Sequence, residues 1–338
     1  MKVFRFLFLF IIILVTLSVG LFYSQFSAPQ NKSEVERFIV RMETPESMAI
    51  DDLFKQGFFK NKNAFNFAIN FVCWQKKTCP KSGERIIPGA YQVSKNMNAF
   101  QLVKKLLLGP FQKWVIIPPG KRKEQVALIL QKVFNWPFSL ARSFSNIAEE
   151  GYLYPDTYLI DTDADPQQII QKLKSNFNEK FDTKLQKDLL LQNIRNDTAI
   201  KIASLIERES GGKEDKPVIA GIIWNRLLKD MRLEIDATVQ YAIASEKLDD
   251  SGLQILDDFT FWQILGPGIV RKIDSPYNTY LNEGLPPGPI CSPGIESIRA
   301  VAYPVETDAL YYLHSPDKKI HTAKTYKEHL KNIKKYLQ

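Results

Sequence analysis

Two glutamates, Glu207 and Glu209, are the residues of this chain best placed by type and spacing to do chemistry. In the stretch 197–210 (DTAIKIASLIERES), Ile202, Leu205 and Ile206 fall at i, i+3 and i+4 of a helical stripe, and i+7 is Glu209. At about 100° per residue, Glu207 falls beside Ile200 and Ser204 instead, so the two carboxylates should have unlike surroundings. A carboxylate held against apolar neighbours resists ionisation and keeps its proton, which is what a general acid requires. The alternative is that the helix frays at Gly211-Gly212 and Glu209 simply reaches water.

A second carboxylate, Asp236, lies in MRLEIDATVQY. It would come near Glu209 if the chain folds back after the helix containing Asn225, or it would serve as N-cap of a helix starting near Ala237. The difference matters because hydrolytic glycosidases generally use two carboxylates, whereas an enzyme with one acid can let a substrate hydroxyl act as nucleophile. Tyr152, Tyr154, Tyr158, Tyr277 and Tyr280 offer flat faces for sugar rings, and Asn225, Asn278 and Thr279 offer donors and acceptors for hydroxyl and acetamido groups. Together they suggest an oligosaccharide cleft. There is no phosphate-cradling glycine loop, zinc-type cysteine cluster or GxSxG elbow. The three histidines, His314, His321 and His329, are spaced by seven and eight, which fits no helical ligand pair, so neither metal nor cofactor is expected.

The elements that must position these groups begin with Lys2 and Arg5, followed by an uncharged run over 6–22 rich in Phe, Leu, Ile and Val. That run is just long enough to cross a hydrocarbon core, with Tyr23 at the far interface. A cleaved signal is the alternative, but Ser24-Gln25-Phe26-Ser27 is a poor cleavage site, which favours an uncleaved anchor. Basic residues ahead of the span put the N-terminus in the cytoplasm and the body outside, where no ATP is available for a kinase or ATPase. The net charge of +8 is spread thinly, with no basic block, which argues against nucleic acid. Cys73 and Cys79 could pair in an oxidising compartment, leaving Cys291 free.

Residues 25–32 read as a polar tether. A strand over 35–42, helices over 48–56 and 64–74, a strand at 88–93 and a helix over 98–108 make a small α+β module. Further on, the pattern predicts a strand at 114–117, a helix from Lys123, and helices over 167–181, 198–210 and up to Leu228, the last with Asp215 as cap. The run 285–289 (LPPGP) must be a loop, ordered or mobile. A short helix at 295–302, a strand at 309–313 and a basic terminal helix at 326–337 complete the chain.

Seven segments in order resemble the YceG-like (MltG) family of endolytic murein transglycosylases: PGAYQV with the helix after it (88–109), GYLYPDTY (151–158), IASLIERES (202–210), AGIIWNRL (220–227), MRLEIDATVQY (231–241), SPYNTYLNEGLPPGPICSPG (275–294), and the tail with His321 and His329. The resemblance implies a single-pass anchor in the cytoplasmic membrane (1–27), a tether (28–34), a LysM-like module (35–112) and a mixed α/β catalytic domain (113–338), α+β in overall class. It implies Glu209 as acid and then base, cutting between N-acetylmuramic acid and N-acetylglucosamine to leave 1,6-anhydro ends, with Asp236, Asn225, Tyr277, Asn278 and Thr279 in the cleft. The implied partners are peptidoglycan strands and the membrane, with glycan polymerases or penicillin-binding proteins beside them. The family usually has proline where this chain has Ala237, the stretch 245–272 is longer and more apolar than the family pattern, and the Cys73–Cys79 region lies outside the resemblance. A hydrolytic muramidase and a non-catalytic glycan-binding scaffold remain the rival readings.

Overall fold

A computed structural model describes residues 2–76, 79, 84–251 and 259–337, and part of the long apolar stretch noted above, residues 252–258, lies outside them. The chain divides into two compact units, residues 1–114 with 158–163, and residues 115–157 with 164–338.

The first unit begins with α1 (Lys2–Phe26), whose 18-residue window Leu9–Phe26 has a mean hydropathy of 2.1 and is long and apolar enough to cross a membrane. The sheet of this fold has the order β1 (Glu36–Val40), β2 (Gly89–Val93), β3 (Gln112–Ile116), β4 (Thr157–Asp161), and β2 runs antiparallel to both β1 and β3. On β1 the alternation is clean: Phe38 and Val40 are buried and Ile39 is exposed. Those inward residues join one core with α2 (Glu46–Lys55), α3 (Lys62–Lys76) and α4 (Ala99–Leu107). Asn98 and Gln101 form a reciprocal cap at the start of α4, which is why that boundary falls where the sequence puts it. A disulfide joins Cys73 to Cys79, and Cys291 is free and buried. The expected polar tether is not loose. Phe26 is buried in the core, Gln30 N donates to Lys95 O at 3.0 Å, and Ser94 Oγ donates to Ser33 O at 3.0 Å, so the segment is pinned along the module.

The second unit is mostly helical. It comprises α5 (Lys123–Phe134), α6 (Phe138–Ile147), α7 (Pro166–Lys180), α8 (Thr183–Leu191), α9 (Asn196–Glu209), α10 (Asp215–Leu228), α11 (Asp236–Ser251), α12 (Ile295–Ala302), an antiparallel hairpin of β5 (Tyr311–His314) and β6 (Ile320–Ala323), and α13 (Tyr326–Tyr336). Helices α6 and α8 and strand β6 were not anticipated. Pro137 and the Asp182 cap start the two helices, and each is short enough to lack a clear periodic signature.

Helix α9 differs most from its sequence pattern. Rather than burying one stripe, it is covered all round: Ala199, Ile200, Ile202, Ala203, Ser204, Leu205 and Ile206 are all buried, against α8, α10, α11 and α12. The one polar residue among them, Ser204, is satisfied by donating to Lys201 O at 2.7 Å and accepting from Ile290 N at 3.1 Å. The LPPGP run is thus an ordered lead-in that delivers Ile290 and Cys291 to the core. Gly221 in α10 allows a close approach, since a Cβ there would lie 2.3 Å from Val305 O. Glu207 also points inward. Both of its oxygens lie 3.0 Å from Lys216 Nζ of α10, and Oε2 accepts from Gly294 N at 3.0 Å and Ser297 Oγ at 2.6 Å at the start of α12. A Lys216→Met substitution leaves that buried carboxylate without its cation and should lower stability by about 3–5 kcal/mol, read from urea denaturation.

Candidate active site

Glu209 is the last residue of α9, and the chain turns into an extended conformation at Ser210. The helix end does not fray into solvent. Gly211 N donates to Asp215 Oδ2 at 3.1 Å, and that same oxygen lies 3.0 Å from His314 Nε2 on β5. Asp215 therefore works as a clasp from inside α10 rather than as its cap, a position taken by Glu214. Arg208, the neighbour of Glu209, leaves in another direction and lies over the Trp262 ring at 3.9 Å.

Glu209 borders a cavity of about 350 Å³ together with Arg226, Asp236, Tyr280, Tyr312 and Tyr326, within the ~300–1,000 Å³ usual for ligand sites. Tyr312, on β5, donates to Glu209 Oε2 at 2.6 Å. Burial pushes the Glu209 carboxyl above its ordinary value; the Tyr312 hydrogen bond pulls the other way, and the negative charge of Asp236 adds to the rise. Its place at the negative end of the helix dipole acts in the same direction. No basic side chain forms an ion pair with it among the described residues. Burial and Glu209 hold the Tyr312 hydroxyl far above its usual range, so it stays a donor.

Asp236 opens α11 and faces the same cavity, accepting a 2.6 Å hydrogen bond from the Tyr280 hydroxyl. Glu209 and Asp236 thus each have a tyrosine partner, while the third carboxyl of the cleft, Glu234, lies 3.6 Å from Arg226. Arg122 is almost fully buried and holds α11 by donating to Tyr241 O at 3.2 Å and Ser245 Oγ at 2.9 Å. Arg226 is the buried strut between the walls, donating through Nε to Leu310 O at 2.7 Å and through Nη1 to Leu233 O at 2.7 Å.

The other residues expected in the cleft are turned inward. Asn225 spends its amide on Thr307 O at 2.6 Å and Ala309 O at 3.1 Å, holding the approach to β5. Asn278 is fully buried; it donates to Val270 O and Ile273 O, both at 2.7 Å, and accepts from Tyr280 N at 3.0 Å, which orients Tyr280. Thr279 is buried and accepts from Ile235 N at 3.0 Å, fixing the residue before Asp236. Tyr277 packs on Tyr241 with ring centroids 4.7 Å apart. Their side chains are absent from the cavity lining, and their polar atoms are taken by backbone groups and by Thr238 and Tyr241. Tyr154 and Tyr158 are core residues, and Tyr152 packs against Phe177. Tyr311, Tyr312, Tyr326, Arg226 and Glu234 also line the cavity and do not stand out in the sequence, where the one signal is the adjacent Tyr-Tyr pair on β5. His321 stacks on Tyr336 at 3.6 Å and His329 on Tyr311 at 5.4 Å, and no group of three or more His, Cys, Asp or Glu among the described residues could hold a metal.

A family model described as "YceG-like family" matches residues 38–335. The chain is 29% identical over 312 residues to a Bacillus subtilis protein named endolytic murein transglycosylase, covering 84% of this chain and 79% of that one. A protein of the same name from Streptococcus pneumoniae serotype 2 is 27% identical over 293 residues, covering 74% of this chain; the match spans half the length of that relative. A crystal structure of a yceG-like protein from Listeria monocytogenes aligns with a TM-score of 0.56 at 28% identity, covering 88% of this chain and 98% of the other.

The raised carboxyl of Glu209 makes its own stability signature. Below the unfolded-state value of about 4.5 both states are protonated and the group contributes nothing unfavourable; as pH rises from there, the unfolded chain ionises more readily than the folded one, and folding loses stability until the folded-state value is passed. Glu209→Gln, which keeps an acceptor for Tyr312, should therefore melt a few degrees above the wild type near neutral pH and match it near pH 4, as measured by thermal denaturation at both values.

Proposed function

The chain belongs to the YceG-like family, and from that premise we propose that it is a membrane-anchored lytic transglycosylase that cuts within the glycan strands of peptidoglycan. The observation that carries this reading is Glu209, a half-buried carboxyl at the end of a buried helix, bonded among the described residues by Tyr312, and facing a cavity of sugar-binding size. In the reaction, protonated Glu209 gives its proton to the glycosidic oxygen joining N-acetylmuramic acid to N-acetylglucosamine, and the C1–O bond breaks. The sugar cation that develops at C1 is opposed by the negative charge of Asp236. Glu209, now a carboxylate, takes the proton from the muramic 6-hydroxyl as that oxygen bonds to C1. A 1,6-anhydro end forms, Glu209 is again protonated, and no water is consumed. One group acting first as acid and then as base needs a carboxyl whose proton is held loosely enough to leave and tightly enough to return, which fits the raised value.

Under this proposal α1 anchors the protein in the cytoplasmic membrane, with the N-terminus inside and the chain after α1 outside. The small α+β unit corresponds to the LysM-like module, and cleavage beside glycan polymerases would limit strand length. Asp236, in the same cleft with a tyrosine of its own, supports one second reading, a hydrolytic muramidase in which it directs water.

Mass spectrometry of products released from uncrosslinked glycan strands separates these. Anhydro ends from the wild type, with at least about a hundredfold loss in Glu209→Gln, are expected for the transglycosylase. Reducing ends would assign hydrolysis instead, and full function in Glu209→Gln would leave only a scaffold. Tyr312→Phe removes the hydrogen bond that lowers the acid's value. The basic limb of the pH–rate profile should therefore move upward, with a reduced maximal rate from looser positioning.

A further inference from the structure

Helix α3 has three faces. Ala64, Phe65, Ala68, Ile69 and Val72 enter the core of the first unit, and Asn63, Asn66 and Asn70 form a polar side, of which Asn70 accepts from Arg85 at 2.8 Å. The third face carries Phe67, Phe71 and Trp74 at i, i+4 and i+7, with 51%, 42% and 75% of their surfaces exposed. Three large rings in a row on a solvent-facing helix are costly in water and need an occupant.

The stripe is continuous with the end of α1. Phe22 packs on Phe26 at 5.1 Å between centroids, Phe26 on Phe67 at 5.8 Å, Phe67 on Phe71 at 6.2 Å and Phe71 on Trp74 at 6.0 Å. Phe100 of α4 closes the group, 5.3 Å from Phe26 and 5.9 Å from Phe71. Phe22 and Phe26 occupy the last turn of the apolar window, so rings touching them share its depth. Lys60 donates to Ser27 Oγ at 2.7 Å just past the end of α1, and Lys104 is exposed on α4. Aromatic rings with lysines at their edge are what the boundary between hydrocarbon and anionic headgroups accepts best.

We propose that the Phe67–Phe71–Trp74 face of α3 is a membrane seat, lying in the lipid interface beside α1 and laying the small α+β unit down on the bilayer surface. This rests on the reading of α1 as the membrane span. The occupant is lipid, because the stripe runs without a break into the segment that reading places in lipid. The pinned segment after α1 leaves the unit no slack to stand away from the surface.

The test uses the full-length chain in nanodiscs of phosphatidylethanolamine and phosphatidylglycerol, with part of the lipid brominated either near the carbonyl or near the chain end. Trp74 emission is taken as wild type minus Trp74→Phe, a change at an exposed ring that leaves the core untouched. A Leu14→Trp variant reports the span separately. The expected result is a blue-shifted Trp74 signal that loses most of its intensity with bromine near the carbonyl and little with bromine near the chain end. Quenching of Leu14→Trp with an unquenched Trp74 would overturn the seat and leave the span standing. With neither quenched, the span reading fails and the proposal fails with it. A Trp74 that lipid leaves unquenched, but that is shielded from acrylamide in discs carrying two chains and open in discs carrying one, would assign the stripe to a second copy and also overturn the proposal.

Discussion

The enclosure of α9 on every side is the constraint from which the rest of the second unit follows. A helix buried all round cannot place an ionisable turn anywhere without a partner, and its last turn holds three ionisable residues in succession, Glu207, Arg208 and Glu209. Each takes a different exit. Glu207 is neutralised by Lys216 and bonded by the start of α12, Arg208 lies flat on Trp262, and Glu209 opens into the cleft. The first two solutions fix the helix rigidly, and that rigidity is what lets the third residue hold one position with so few bonds of its own.

The cleft repeats one device. Tyr312 serves Glu209 and Tyr280 serves Asp236, each as a hydroxyl donor to a carboxyl, but the two carboxyls differ in surroundings: Glu209 is half-buried, whereas Asp236 is exposed. The same kind of partner therefore serves two carboxyls in unlike environments, and burial pushes Glu209 above its ordinary value. An acid kept in an enclosed place opposes folding above its unfolded-state value, and the dense packing of α9 against its neighbours offsets that cost.

Around this centre, polar residues that a sequence reader assigns to substrate are engaged in holding backbone. Asn225, Asn278 and Thr279 each satisfy carbonyl or amide groups of the loops carrying Tyr280, Asp236 and β5. They resemble binding residues because burial beside a site and contact with its ligand select the same side-chain chemistry. The LPPGP run shows a related effect: a segment too rich in proline for a helix is still ordered, because the residues after it fill the core beside Ser204.

The sequence by itself determined the apolar N-terminal helix, the order of most helices, the helix that becomes α4, and the place of Glu209 in line with the apolar stripe of α9. Those features depend on local composition and periodicity, which a window of a few turns contains in full. It also placed Asp236 as a candidate without deciding between cap and cleft. The tertiary structure alone decided that Glu207 is clamped, that Asp236 faces Glu209's cavity, and that the tyrosine holding the acid comes from Tyr312, 103 residues further along the chain. Only the fold could bring that hydroxyl to α9, since the pairing of β5 with β6 and the Arg226 strut set its position, and neither has a periodic trace near residue 209. Hydrogen bonds between residues distant in sequence are fixed by packing, and packing is a property of the whole core rather than of any one stretch.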